Sequence, residues 1–179
     1  MPRFEWDIRI GAALLFPLLF YFDNSGVFAA ALPAIFFHEL GHCVAVRLCG
    51  GRIVSLQLDT AGLILTASPL SPTESLIASL SGPCLGFLWA AAAGRLRGAY
   101  WQQSAQIAWW LNLINVLPAL PLDGGQILYE LRVGNDLLRI TTLITAALFV
   151  GVAAFCRSPL PLLPVPAMVH ALIRLEERL

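Results

Sequence analysis

Phe36-Phe37-His38-Glu39-Leu40-Gly41-His42-Cys43-Val44 sets ionisable chemistry into an apolar run. The chain has three histidines, and two of them are here. Residues four apart share a helix face, so both imidazoles can reach one metal ion. Glu39 stands between them, where a hydrolytic metal centre needs a base. The apolar run extends from about Val27 to Cys49, and Gly50-Gly51 stops it. At ~1.5 Å per residue its length is ~35 Å, enough to cross a bilayer. Ionisable groups at that depth are costly and point to function.

Composition extends the membrane reading to the whole chain. Apolar residues make up 58% and charged residues 12%, against roughly 25% charged in a soluble domain. Mean hydropathy is +0.76. Eleven arginines balance eleven acids, and there is no lysine. No basic patch emerges, which argues against nucleic acid as a partner. Cys43, Cys49, Cys84 and Cys156 form no C-x-x-C pair. Buried structural thiols are expected, not a disulfide framework or a thiolate zinc site. A cleaved leader is not expected, because Glu5 and Asp7 interrupt the basic start and no small-residue cleavage site follows.

Outward from the central run, the pattern predicts an all-α integral membrane protein of about six transmembrane helices. One polytopic domain covers residues 1–179, with a three-helix catalytic core at about 27–125. Span one, about Ile8 to Phe22, ends at Asp23-Asn24-Ser25-Gly26. After span two, Arg52 to Ala67 reads as a short β-hairpin around Asp59-Thr60-Ala61-Gly62. An open sheet edge cannot face lipid, so the hairpin belongs at the cytoplasmic interface or beside a cavity. Its unpaired edge is suited to receive a substrate segment as an added strand. Span three starts at Ser71-Pro72-Thr73-Glu74 and ends near Gly94. Within it, Gly82-Pro83-Cys84-Leu85-Gly86 suits close helix packing, and its proline predicts a kink. Span four covers about Ala99 to Val116, and a short helix follows from Gly125 to about Val133. Span five covers about Leu137 to Cys156. Leu160 to Leu179, entered through Pro159, reads as a Pro-distorted sixth span or an interfacial helix.

The arginines set the orientation in a multi-pass cell-membrane protein. With the N-terminus cytoplasmic, Arg3, Arg9, Arg47, Arg52, Arg132, Arg139, Arg174 and Arg178 fall inside. Arg95, Arg97 and Arg157 fall outside. The same orientation puts His42, the hairpin and Asp123 toward the cytoplasm.

A catalytic zinc ordinarily has three protein ligands, so the two histidines need a third. Asp59, Glu74, Asp123, Glu130 and His170 are the candidates. Asp123 stands out by its setting, Asn115-Val116-Leu117-Pro118-Ala119-Leu120-Pro121-Leu122-Asp123-Gly124-Gly125. Prolines break the helix there, and glycines allow an unusual backbone. A carboxylate beside irregular backbone at membrane depth needs a positive partner. H-E-L-G-H followed by N-x-x-P-x-x-P-L-D-G-G resembles the paired signature of the site-2 protease family of intramembrane zinc metalloproteases. The resemblance covers about Val27 to Gly125, including Gly82-Pro83. It is strongest to the subgroup containing stage IV sporulation protein FB, with no PDZ-type or CBS module expected.

The resemblance implies that His38, His42 and Asp123 hold zinc and that Glu39 is general base and proton shuttle. It implies that Asn115 holds the substrate backbone or stabilises an oxyanion. Asn112, one turn earlier, does not match the motif and is read as an interhelical hydrogen-bonding residue. His170 is read as interfacial. The implied substrate is a membrane-embedded or membrane-associated protein, such as a transcription-factor precursor or an anti-sigma factor. Regulation would come from a membrane partner or from substrate availability. Three other readings stand beside this one. Packed core histidines with internal hydrogen bonds would need no metal. A metal or ion transporter would show an internal repeat with broken helices, and none is found. A non-catalytic regulator that binds membrane helices would not need Glu39.

Overall fold

A computed structural model describes residues 5–8, 10–59, 62–157, 162 and 164–176. Thr60 and Ala61 of the hairpin turn, the segment entry at Pro159 to Pro161, and Arg3, Arg9 and Arg178 lie outside the described residues. The elements in order are β1 (Glu5–Ile8), α1 (Ile10–Tyr21), α2 (Val27–Leu48), β2 (Ile53–Asp59) and β3 (Gly62–Ala67). They continue as α3 (Pro72–Ala93), α4 (Ala99–Asn115), α5 (Asp123–Glu130), α6 (Asn135–Cys156) and α7 (Val165–Glu176). Two compact units divide the chain at Met1–Leu113 and Ile114–Leu179.

Among the described residues, α2, α3 and α6 are long and apolar enough to cross a bilayer, at 22 residues each. The segments read as spans one, four and six are helical but shorter, at 12 residues for α1 and α7 and 17 for α4. Twelve helical residues reach ~18 Å, against a hydrocarbon core of ~30 Å.

In the first unit, α2 turns Ala30, Ala34, His38, Gly41, Ala45 and Val46 inward. The first five lie three or four apart and make one helix face, small except at His38, and Val46 widens it at the C-terminal end. α3 buries Gly82, Pro83, Gly86, Ala90 and Ala93. A Cβ on Gly41 would overlap the Ser81 carbonyl, so the two backbones nearly touch. Close approach over small residues is how helices associate in lipid, where apolar burial gives no drive. α4 joins through Ala108, which clusters with Ala34 and Ala90. Phe37 stacks on Trp89 with ring centroids 4.2 Å apart, and Trp89 Nε1 donates to Ser104 Oγ at 3.2 Å. Large side chains point away, as Leu48 does at 83% exposed. Alanine inside and leucine outside inverts a soluble core and suits a lipid surround.

Local chemistry sets the helix starts. Ser71 caps α3 in a capping box with Glu74, as the Ser-Pro-Thr-Glu start predicts. Asp23 accepts from Val27 N at 3.1 Å and Phe28 N at 2.6 Å, which closes the first turn of α2.

The sheet differs from a lone hairpin. It has three strands in the order β1-β2-β3, with β1 parallel to β2 and β2 antiparallel to β3. The apolar pattern alone leaves Glu5 to Ile8 on the flank of span one. The overlooked signal is alternation of apolar and polar residues from Phe4 to Ile10. β1 takes one edge of β2, so among the described strands β1 and β3 are the outer ones, and within the hairpin β3 keeps the unpaired edge.

In the second unit, Leu120, Leu138 and Leu175 form a core with Leu128 and Ala171 packed on it. Phe155 of α6 is 90% exposed, a large apolar side chain turned outward as in the first unit. All four cysteines are free. Cys43 and Cys49 are half-buried, and Cys84 and Cys156 are exposed, which corrects the expectation of buried thiols. A thiol is apolar enough for an outward position on a long apolar helix.

Candidate metal centre

His38 lies near the middle of α2 and is 5% exposed. His42 follows one turn later, half-buried. His38 Nδ1 lies 2.8 Å from Asn112 Oδ1, and His42 Nδ1 lies 2.8 Å from Ala78 O. Carbonyl oxygens only accept, so each Nδ1 donates and each Nε2 keeps its lone pair. The two Nε2 atoms are 3.2 Å apart. Two lone pairs that close repel unless a cation lies between them. A tetrahedral zinc holding two imidazoles at ~2.0–2.1 Å sets the nitrogens ~3.3 Å apart. The histidine pair therefore fits zinc, with both rings oriented by the outer hydrogen bonds typical of metal ligands.

Two glycines of α3 make room for this. A Cβ on Gly82 would overlap the His42 imidazole, and one on Gly86 would overlap the Asn112 amide. The sequence assigns these glycines to helix packing alone. Their second task depends on how α3 registers against α2 and α4, and no local signal carries that. Asn112 makes the expected interhelical hydrogen bond, and its partner is His38.

Glu39 is half-buried beside His38 on α2. Two other ligand candidates are engaged locally. Glu74 accepts from Ser71 N at 2.8 Å in the α3 cap. The exposed His170 of α7 accepts from Arg174 Nε at 3.4 Å.

In the second unit, Asp123 is the first residue of α5, where the helix dipole favours a carboxylate. A Cβ on Gly124 would overlap the Val116 and Leu117 carbonyls, and one on Gly125 would overlap the Ala119 backbone. These glycines let residues 116–122 fold directly over the start of α5. Several N–H groups of the loop find acceptors within the unit. Ala119 N donates to Leu117 O at 2.8 Å, and Leu122 N donates to Ala119 O at 2.9 Å. Leu120 N donates to Thr142 Oγ1 at 3.1 Å, and Thr142 Oγ1 donates to Leu138 O at 2.7 Å. Irregular backbone at membrane depth requires such partners. Asn115, half-buried, ends α4 just ahead of this loop.

No protein-family model matches the chain. It is 27% identical over 124 residues to a protein of Mycobacterium tuberculosis described as "Putative zinc metalloprotease Rip3", in strains H37Rv and Erdman. That similarity covers 62% of this chain and 32% of the relative, so the chain spans about a third of the length of the curated relatives it matches. In fold it is similar to a site-2 protease from Methanocaldococcus jannaschii, with a TM-score of 0.71 and 17% identity. That likeness covers 97% of this chain and 90% of the other. The resemblance to the site-2 protease family drawn from the motifs is thus supported by sequence similarity to the protein so described and by the fold.

Proposed function

We propose that this chain, which has the fold of a site-2 protease, is an intramembrane zinc metalloendopeptidase acting on a membrane-embedded or membrane-associated protein. The observation that carries this reading is the pair of Nε2 atoms at 3.2 Å on the buried face of a span-length helix. In this reading His38, His42 and Asp123 are the three side chains that hold the metal ion. Bound zinc would supply a Lewis acid that polarises the scissile carbonyl and lowers the pKa of water. Glu39 takes the proton of the attacking water and delivers it to the leaving amine. Asn115 holds the substrate backbone or the developing oxyanion.

A helical substrate hides its peptide bonds, so the scissile segment must unwind, and its freed N–H and C=O groups need partners in lipid. The open edge of β3 offers them by strand addition. The reading includes a single polytopic domain with about six spans, and a sheet, N-terminus and active site toward the cytoplasm. By resemblance, the substrate class is a transcription-factor precursor or an anti-sigma factor.

Metal analysis of the purified protein tests the site. One zinc per chain, lost in a His42→Ala, Asp123→Ala double variant, is the expected result. Stoichiometric zinc in the double variant would overturn the ligand set. Cleavage of membrane-tethered candidate substrates, read by mass, tests the activity. A zinc-loaded protein that transports the ion and cuts none of them would favour a transporter.

A further inference from the structure

We propose that Asn112 is a positioning residue that decides which nitrogen of His38 faces the metal. The proposal rests on the zinc reading above. Asn112 is fully buried on α4, and its Nδ2 donates to Ala108 O at 2.6 Å, one turn back on the same helix. Only the amide nitrogen can make that contact, since the Ala108 carbonyl has no proton to give. Oδ1 is therefore the atom turned to His38 Nδ1, 2.8 Å away. It holds the ring proton on Nδ1 and leaves the lone pair on Nε2, facing His42 Nε2.

The orientation carries information that an ordinary interhelical hydrogen bond would not. With the amide reversed, its NH2 would face Nδ1, the ring proton would move to Nε2, and that nitrogen would be closed to a metal. The Ala108 carbonyl opposes the swing, because a reversed amide would set Oδ1 against it, acceptor to acceptor. His42 is controlled differently, because its Nδ1 partner is the backbone carbonyl of Ala78, which no side-chain substitution removes. One ring is set by main chain, and the other depends on a single side chain.

The chain's three histidines keep a ring-nitrogen spectrum simple, so 15N-histidine labelling of metal-free protein in micelles can read the tautomers. In the wild type, His38 should carry its proton on Nδ1. Asn112→Leu should lose that preference and bind zinc ~10–100-fold more weakly in chelator competition. Asn112→Asp keeps an acceptor toward Nδ1 and should restore the tautomer, with zinc held more tightly than in Asn112→Leu although the bond to Ala108 O is lost. A wild-type His38 protonated on Nε2 would overturn the proposal without any variant, should Asn112→Leu fail to fold. Asn112→Leu with weakened zinc and an unchanged tautomer would also overturn it, by making the residue merely structural. Absence of zinc from the wild type would sink the zinc reading, while the tautomer would still decide whether Asn112 controls His38.

Discussion

His38 and His42 stand on an unbroken helix of 22 residues, whereas Asp123 opens a helix of eight residues that follows a loop with two prolines. The first region satisfies its own backbone except at Ala29 O, which Pro33 leaves without a helical donor and which accepts from Tyr100 Oη at 3.3 Å, so it can cross lipid and chiefly needs room beside it. Gly41, Gly82 and Gly86 provide that room. The second region has broken its backbone ladder and needs partners. Thr142 supplies one through its side chain, and Gly124 and Gly125 let the loop supply others. In the proposed reading, regular helix places a ligand by packing, and irregular backbone places one by hydrogen bonding. The two regions should fail to different insults.

Glu39→Gln leaves both regions standing and should have the largest effect. Turnover of a tethered substrate should fall ~10²–10⁴-fold with zinc retained, because Gln cannot accept the proton. Near-normal turnover would remove Glu39 from the chemistry.

Gly82→Ala attacks the packed region alone. Its new Cβ would occupy the place of the His42 ring, so the ring or the helix must move. Zinc affinity should fall ~10–100-fold, measured by chelator competition. Unchanged affinity would show that α2 and α3 can separate freely, and the contrast between the regions would weaken.

Thr142→Val attacks the hydrogen-bonded region alone. It preserves shape but leaves Leu120 N–H without its acceptor, at a cost of ~1–3 kcal/mol. Thermal unfolding should report the loss, while the ring-nitrogen signals of His38 and His42 stay where they were. Movement of those signals would mean that the histidine pair is not set by its own packing.

The smallest effect concerns the start of α2. Desolvation pushes the Asp23 carboxyl up, but hydrogen bonds from Ser25 and from the backbone of Phe28, Ala29 and Val27 outweigh it and hold the carboxyl below its ordinary value. The folded pKa is thus below the unfolded one. The stabilisation is fully present above the unfolded value and is lost as pH falls through the folded one. An Asp23→Asn variant should unfold with a flatter acid dependence than the wild type, and an identical pH profile would show that the cap contributes nothing.

Much of this molecule follows from local sequence. Apolar runs locate α2, α3 and α6, because a helix in lipid must satisfy its backbone within one segment. Ser71 to Glu74 marks the α3 start, because a capping box closes within one turn. Two histidines four apart, with an acid between them and Asp123 in a broken helix, point to metal chemistry by residue type and spacing. Tertiary structure alone decided the rest. β1 was hidden because its partner is β2, far along the chain, and parallel pairing leaves no turn signal nearby. Which ring nitrogen carries each proton was hidden because Asn112 and Ala78 belong to other helices. Their reach to the rings depends on how closely small residues let those helices approach, a distance that no single segment encodes.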